Sequence, residues 1–390
     1  MNYLLEKKQN EMLGMTHEFC EQVLQSNVSK CDLASKVGMD GFKQAARLGI
    51  HYPELSERLG GAELCCGACT RINREIAHAN VDFYRTLSAS RLGSRPVMFF
   101  GTEAQKDKIG QSIMLGEIWA FALTESGLDH EMHQTTAIRK GDEYILNGQK
   151  CFVTNGLNAD HFTVFAMLKE KDGTQSMCCF IVDHCTSGVK INQESNAIGL
   201  WFSNLNDVVF EDVRIPVENL VGEVGKGFEY AMISLENSRI DAISGSLGVT
   251  QTAFEYAVKY VQERDVFEQL SNKNKAIQFM VTDIKNDTTP LLKQNIFQLK
   301  TKSEDRTKPF VSDIAMQVCL DTLKILRECG YIEAYPLDNL LCNVKMFQIH
   351  EDSNQMKWMV KAAPLQKEFA LFMVKVTQML GRQYPYHKQI

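Results

Sequence analysis

Residues 143–166 read EYILNGQKCFVTNGLNADHFTVFA. Val, Ile, Phe and Thr crowd this stretch, and Asn-Gly pairs punctuate it. That is the composition of short β-strands separated by turns. IWAFALTES (118–126), MCCFIVD (177–183), GVKINQ (188–193) and NDVVFEDVRIP (206–216) continue the pattern on both sides. LNGQK (146–150) and KDGTQ (171–175) read as the turns between them. Several short strands at such spacing predict an antiparallel barrel or sandwich over residues 119–225.

The flanks change character. DGFKQAARLGIHY (40–52) and ACTRINREIAHANVDFY (68–84) carry apolar residues three and four apart, the spacing of an amphipathic helix. PELSERLGGAEL (53–64) interrupts them with Pro53 and the Gly60-Gly61 pair, which is loop chemistry. Beyond the strands, residues 231–267 form a long amphipathic pattern without proline, and SDIAMQVCLDTLKILREC (312–329) forms a second. The order is helices over 1–118, a β-domain over 119–225 and a helical bundle over 226–390. This is an α+β multidomain chain, with a four-helix bundle expected at its C-terminal end.

Bulk properties narrow the function. The chain has 390 residues, 44% hydrophobic and 23% charged, ordinary for a globular protein with a sizeable core. Its net charge is −6 and no basic stripe appears, so the electrostatic footprint of a nucleic-acid binder is missing. The N-terminal MNYLLEKKQNEMLGM lacks the pattern of a signal peptide, and no run of about 18 apolar residues predicts a membrane span. A cytoplasmic location is expected.

Twelve cysteines invite a metal or disulfide reading. CCGAC (65–69) holds one C-x-x-C without a second pair at zinc spacing. Cys178 and Cys179 are strand neighbours on opposite faces, so they cannot share a ligand. His130 and His133 lie one helical turn apart with no further ligand nearby. Reduced, mostly buried thiols and no metal are expected.

The order of these zones, with the motifs inside them, resembles the acyl-CoA dehydrogenase family over essentially the whole chain. PELSERLGG resembles the family's P-E-x-x-G-G loop, and FALTES (121–126) its A-x-T-E entry to the β-domain. The opening stretch resembles N-G-x-K-x-[FW]-[IV]-T-N-G. VVFEDVRIPVENLVGEVGKGF (208–228) resembles f-E-D-V-r-[VI]-P-x-e-N-l-[LV]-G-e-x-g-x-G-F, and AVKYVQERDVF (257–267) the A-x-x-Y-x-x-x-R-x-x-F helix end.

The resemblance implies FAD bound between the β-domain and the C-terminal helices, with a neighbouring subunit's help, in a dimer or tetramer. It implies oxidation of an acyl thioester across Cα–Cβ. A carboxylate removes the α-proton, the flavin takes the β-hydrogen as hydride, and hydrogen bonds hold the developing enolate. Carried over by residue, Leu123 and Thr124 touch the flavin ring, Phe152 packs beside it, and Thr154 bonds near its reactive nitrogen. Taken alone, both threonines are ordinary strand composition. Arg264 and Phe267 reach the FAD of a partner subunit, and Ser353 and Gln355 supply further contacts. Glu236 and Arg239 lie near the pantetheine arm, although their spacing also suits a plain helix-surface pair. IHEDSNQ (349–355) aligns with the family's I-Y-E-G-T segment, which puts Glu351 on the catalytic base and His350 beside the substrate. Ser238 occupies the alternative base position and cannot serve.

Departures cluster on the cofactor. The family's T-E-P-G-A-G-S-D turn reads TESGLDH (124–130) and is shorter. Q-I-x-G-G-x-G-[YF] reads KILRECGY (324–331), with Lys324 for glutamine and Arg327 and Glu328 for the glycine pair. Cys342, Glu268 and Trp201 replace an arginine, a glycine and an arginine, and Asp352 replaces a glycine beside Glu351. Two readings follow. In the first the chain is a flavoenzyme acting on an acyl-CoA or acyl-carrier-protein thioester, passing electrons to a flavoprotein or to oxygen. In the second it is a homologue without FAD that acts as a scaffold or binds a partner.

Overall fold

The computed structural model describes residues 2–25, 37–125, 135–170, 172–192, 205–266, 304–327 and 336–349, and singly 282 and 285. Glu351, His350, Ser353, Gln355 and Phe267 lie outside them, as do His130, His133, Trp201, Glu268 and Glu328. The backbone of Arg264 falls within a described helix.

Among the described residues, five α-helices precede the strands: α1 (Asn2–Phe19), α2 (Val37–Arg47), α3 (Cys66–Ala79), α4 (Val81–Phe100) and α5 (Glu103–Leu115). The pattern over 68–84 spans two of them. Asn80 divides it in an extended conformation, and its side-chain oxygen caps α4 by accepting from the Phe83 N–H. Thr102 and Gln105 start α5 with a reciprocal capping box.

Seven strands follow: β1 (Trp119–Ala122), β2 (Thr136–Lys140), β3 (Glu143–Thr154), β4 (His161–Lys169), β5 (Gln175–Asp183), β6 (Val189–Asn192) and β7 (Leu205–Pro216). They form one sheet in the order β1-β4-β2-β3-β7-β6, with β5 on the other edge of β4. The sheet is mixed, which differs from the antiparallel expectation. β1 and β2 both run parallel to β4, along its first and second halves.

The described part of KDGTQ, residues 172–175, bends between β4 and β5, with Gly173 at φ 86°. LNGQK is not: β3 runs through it unbroken. Gly148 has φ 145°, and a Cβ there would sit 2.5 Å from the Cα of Thr135. The glycine serves a close backbone approach at a β-bulge, not a reversal.

β4 and β5 are buried on both faces. Phe162, Val164, Ala166, Cys178, Phe180 and Val182 join the main core. Phe165, Cys179 and Ile181 join a second cluster beneath α5, with Ile109, Ile113 and Trp119. The adjacent cysteines therefore serve different cores, as period-2 strand geometry requires.

Among the described residues, three long helices follow the sheet: α6 (Gly227–Val266), α7 (Glu304–Leu326) and α8 (Leu337–Ile349). At 40 residues, α6 is about 60 Å long and packs along α7 and α3. A buried polar cluster ties it to the N-terminal helices. Asp241 accepts from Arg91 at 3.1 Å and from Arg95 at 2.7 Å, and its carbonyl accepts from the Tyr84 hydroxyl.

Candidate active site

A cavity of about 500 Å³ opens where the sheet meets α4, α6 and α8. The strand side supplies Phe121, Leu123, Thr124, Phe152, Thr154 and Leu205. The helical side supplies Arg85, Ser88, Ala89 and Leu92 from α4, Leu235 and Ala242 from α6, and Met346, Phe347 and Ile349 from α8. All four flavin contacts expected within the β-domain thus converge on one wall.

Local geometry explains how they get there. Between Lys150 and Val153 the pairing of β3 with β7 shifts register, leaving Cys151 and Phe152 outside the ladder. The Cys151 N–H turns to the Thr124 carbonyl at 2.8 Å instead. Phe152 takes a left-handed φ of 56° and is 64% exposed. A large apolar ring is thus held in the open by a left-handed backbone.

Leu123, Thr124 and Glu125 leave β1 as non-strand chain, yet they are fixed at several points. Lys150 donates its Nζ to the Leu123 carbonyl at 3.0 Å and to the Glu125 carboxylate at 2.6 Å. Glu125 also accepts from the Thr135 N–H at 3.1 Å. Lys150 is fully buried. Burial pulls its pKa down, the Glu125 carboxylate opposes the shift, and the result lies below the ordinary lysine value.

At the far end of β3, Asn155 has φ 65° and donates its side-chain amide to the Thr86 carbonyl at 3.0 Å, pinning the Thr154 end to α4. Gly93 does the same for β1. A Cβ there would lie 2.7 Å from the Ala120 nitrogen, so its absence lets β1 lie directly on α4.

The other predicted residues fall elsewhere. Glu236 and Arg239 form a 3.7 Å pair on α6, and neither lines the cavity, although Leu235 does. Ser238 is buried and donates to the Leu235 carbonyl, which leaves it no part in proton transfer. Glu351 follows Ile349 by two residues. α8 ends with Ile349 lining the cavity, and Glu351 itself lies outside the described residues.

Three departures acquire places. Lys324 is exposed and pairs with Asp321 at 2.6 Å. Arg327, at the first position of the lost glycine pair, keeps a left-handed φ of 50° and is exposed. The backbone bend that a glycine adopts freely has survived the glycine. Cys342 is half-buried on α8, beside Asn343, which donates to Asp82 at 2.9 Å.

Sequence reasoning missed the helical walls. Arg85, Ser88, Ala89 and Leu92 lie at i, i+3, i+4 and i+7, one face of α4, but that spacing alone reads only as a buried helix face. It missed Lys150 as the tie for Leu123, because a buried lysine is recognisable only from its partners.

The cavity suits a flavin ring on the observations of this chain alone. It offers a mainly apolar lining with an exposed aromatic, two threonines and an aliphatic wall, a chemistry that matches a planar apolar system with polar edges. Among the described residues no group of three or more His, Cys, Asp or Glu could hold a metal ion.

Comparison with known proteins shows the same architecture. Family patterns match along the chain: "Acyl-CoA dehydrogenase, N-terminal domain" over residues 6–117, the "middle domain" over 120–213 and the "C-terminal domain" over 225–365. A short-chain-specific acyl-CoA dehydrogenase of Megasphaera elsdenii is 32% identical over 383 residues, covering 94% of this chain and 100% of that protein. "Caffeyl-CoA reductase-Etf complex subunit CarC" of Acetobacterium woodii is 31% identical, covering 91% of this chain and 94% of that protein. The solved butyryl-CoA dehydrogenase of Megasphaera elsdenii superposes with a TM-score of 0.82 at 31% identity, over 92% of this chain and 98% of that one.

Proposed function

This chain belongs to the acyl-CoA dehydrogenase family, and on that premise we propose how its own residues carry out the dehydrogenation. It is an FAD-dependent oxidoreductase acting on the CH–CH bond of an acyl-CoA thioester.

The observation that carries the residue assignment is the convergence of Leu123, Thr124, Phe152 and Thr154 on one cavity wall. Phe152, Thr124, Thr154 and Leu123 are the residues that would hold the flavin, Phe152 against its ring, the two threonines at its polar edge and Leu123 along one side. When bound, FAD supplies the acceptor for the β-hydrogen, which no side chain offers. Lys150 holds the Leu123–Glu125 segment in place, so that Leu123 and Thr124 are already positioned before the cofactor arrives.

The acyl chain lies over the α4 face, with Leu235, Ala242 and Phe347 excluding water. Glu351, carried just past the end of α8, takes the α-proton as general base. An apolar surround raises a carboxylate toward the working pH, which suits that task. His350 lies beside it at the thioester, and Glu236 and Arg239 meet the pantetheine arm outside the cavity. Arg264, Phe267, Ser353 and Gln355 serve the remainder of FAD, the first two across a subunit boundary in a homo-oligomer. Electrons leave to an electron-transferring flavoprotein, the partner named for the Acetobacterium relative. The enzyme works in the cytoplasm. Among the described residues no helix is long and apolar enough to cross a membrane.

The test is optical. The protein purified with FAD absorbs near the flavin visible band and bleaches anaerobically on addition of butyryl-CoA. A protein that stays colourless after reconstitution and gel filtration overturns the assignment.

A further inference from the structure

The CCGAC stretch (65–69) takes no part in the flavin chemistry, and the fold gives it a setting of its own. Cys65 is the N-cap of α3, Cys66 its first residue and Cys69 its fourth. Residues i and i+3 of a helix have Cα atoms about 5 Å apart, within the span of about 4.4–6.8 Å that a disulfide bridges. Cys66 is half-buried, whereas Cys69 is 5% exposed and donates to the Leu64 carbonyl at 3.5 Å. The Cys65 side chain makes no cap bond, and the first-turn N–H groups of a helix carry positive partial charge. A thiol at that end is favoured as the thiolate. Burial pushes the Cys69 thiol up, and Glu54 adds to the shift. One thiol is thus placed to attack, and its neighbour to stay protonated until exchange draws it in.

A cavity of about 430 Å³ opens beside these residues, between the start of α3, the end of α4 and residues 237–241 of α6. Cys65, Cys66 and Cys69 all line it, and it shares no lining residue with the flavin cavity. Arg95 lines it from α4 and is 6% exposed. The Arg95 Nη2 donates to Asp241 at 2.7 Å and lies 3.8 Å from Glu54, whereas Nη1 is buried without a hydrogen-bond partner. An unmatched donor is costly until a ligand oxygen accepts from it.

We propose that Cys66 and Cys69 are a redox-active dithiol that exchanges with a low-molecular-weight peptide disulfide seated in this cavity, with a carbonyl or carboxylate oxygen of the peptide on Arg95. The Cys66 thiolate attacks one sulfur of the incoming disulfide. Its S–S bond breaks, and the departing thiolate takes up the proton that Cys66 released. Cys69 then attacks the Cys66 sulfur of the mixed disulfide and gives its proton to the second departing thiolate. The protein gains one disulfide and loses two hydrogens, and the incoming disulfide is reduced to two thiols. Cys65 instead engages α1, where the Gln9 Nε2 donates to its Sγ at 3.4 Å.

The experiment treats the reduced full-length protein, with FAD added, with glutathione disulfide. Remaining thiols are alkylated before unfolding, and disulfides are mapped by mass spectrometry. Wild type forms the Cys66–Cys69 disulfide, and reduced glutathione reverses it. Cys69→Ser, lacking the second thiol, accumulates the mixed disulfide on Cys66, and Cys66→Ser leaves Cys69 reduced. The buried Cys179 and Cys319 stay reduced throughout, which shows that the folded protein reacted. Exchange is about fivefold faster with glutathione disulfide than with cystamine, which carries no carbonyl oxygen, each rate taken relative to that of free N-acetylcysteine. That ratio is the scale of one hydrogen bond.

A wild type that forms no Cys66–Cys69 disulfide overturns the proposal, as does a disulfide mapped to Cys65. Oxidation of Cys179 and Cys319 at the same rate overturns it too, because the thiols would then react only on unfolding. If Cys69→Ser does not fold, the wild-type map alone decides the pairing. Equal relative rates for the two disulfides overturn the peptide assignment and the role of Arg95.

Discussion

The ammonium of Lys150 lies 2.6 Å from the carboxylate of Glu125, with the lysine fully buried. This pair joins the middle of β3 to the chain leaving β1, and it fixes the segment that carries Leu123 and Thr124.

Lys150→Met leaves Glu125 without its buried counter-charge. Denaturant unfolding of the variant shows a loss of about 3 kcal/mol or more, as for other broken buried pairs. FAD retention after gel filtration falls with it. Combining Lys150→Met with Glu125→Gln recovers part of the stability, and a double-mutant cycle measures the coupling. Strictly additive losses would show that the two residues act separately.

Phe152 is held out of the core by its bulge, so its ring contributes little to folding. Phe152→Ala keeps the left-handed backbone strain and removes only the ring. Unfolding of the FAD-free variant stays within about 0.5 kcal/mol of wild type. FAD binding weakens by about tenfold, the scale of an aromatic stacking contact. A large stability loss with unchanged FAD affinity would make Phe152 a structural residue.

Glu351→Gln retains FAD and its visible spectrum. Exchange of the α-proton of butyryl-CoA into deuterated water slows by about 100-fold or more, the contribution of a positioned general base. Exchange at the wild-type rate would transfer the role to another group.

His161 lies between two acids, with Nδ1 2.7 Å from Asp183 and Nε2 2.8 Å from Glu117. Burial pulls its pKa down, but the two carboxylates outweigh that and raise it above the ordinary 6.5. A raised folded-state value stabilises the fold fully below about pH 6.5, and the contribution disappears as pH rises through the folded value. The stability gap between wild type and His161→Asn is therefore widest in mild acid and narrows toward alkaline pH. A gap that widened with pH would mean that His161 is neutral in the folded protein.

Parts of the site were legible because they are encoded in contiguous motifs. Phe152 and Thr154 sit in the stretch that decides the fold, and Leu123 and Thr124 in FALTES; the cavity brings the four together. Gly148 was misread because Asn-Gly is turn chemistry in isolation. Only the approach of Thr135, thirteen residues earlier, shows why a side chain is forbidden there. Arg85 passed unnoticed, since an arginine on a helix is ordinarily solvated.

The sequence by itself determined the order of helices, strands and helices, the family and the cofactor, because periodicity and ordered motifs are properties of local chain. Tertiary structure alone decided the parallel course of β1 and β2 against β4 and the burial of Lys150 and Arg85. Those depend on which distant residues desolvate and approach a group. Spacing along the chain does not record the dielectric surroundings or the partners that folding brings to a charge.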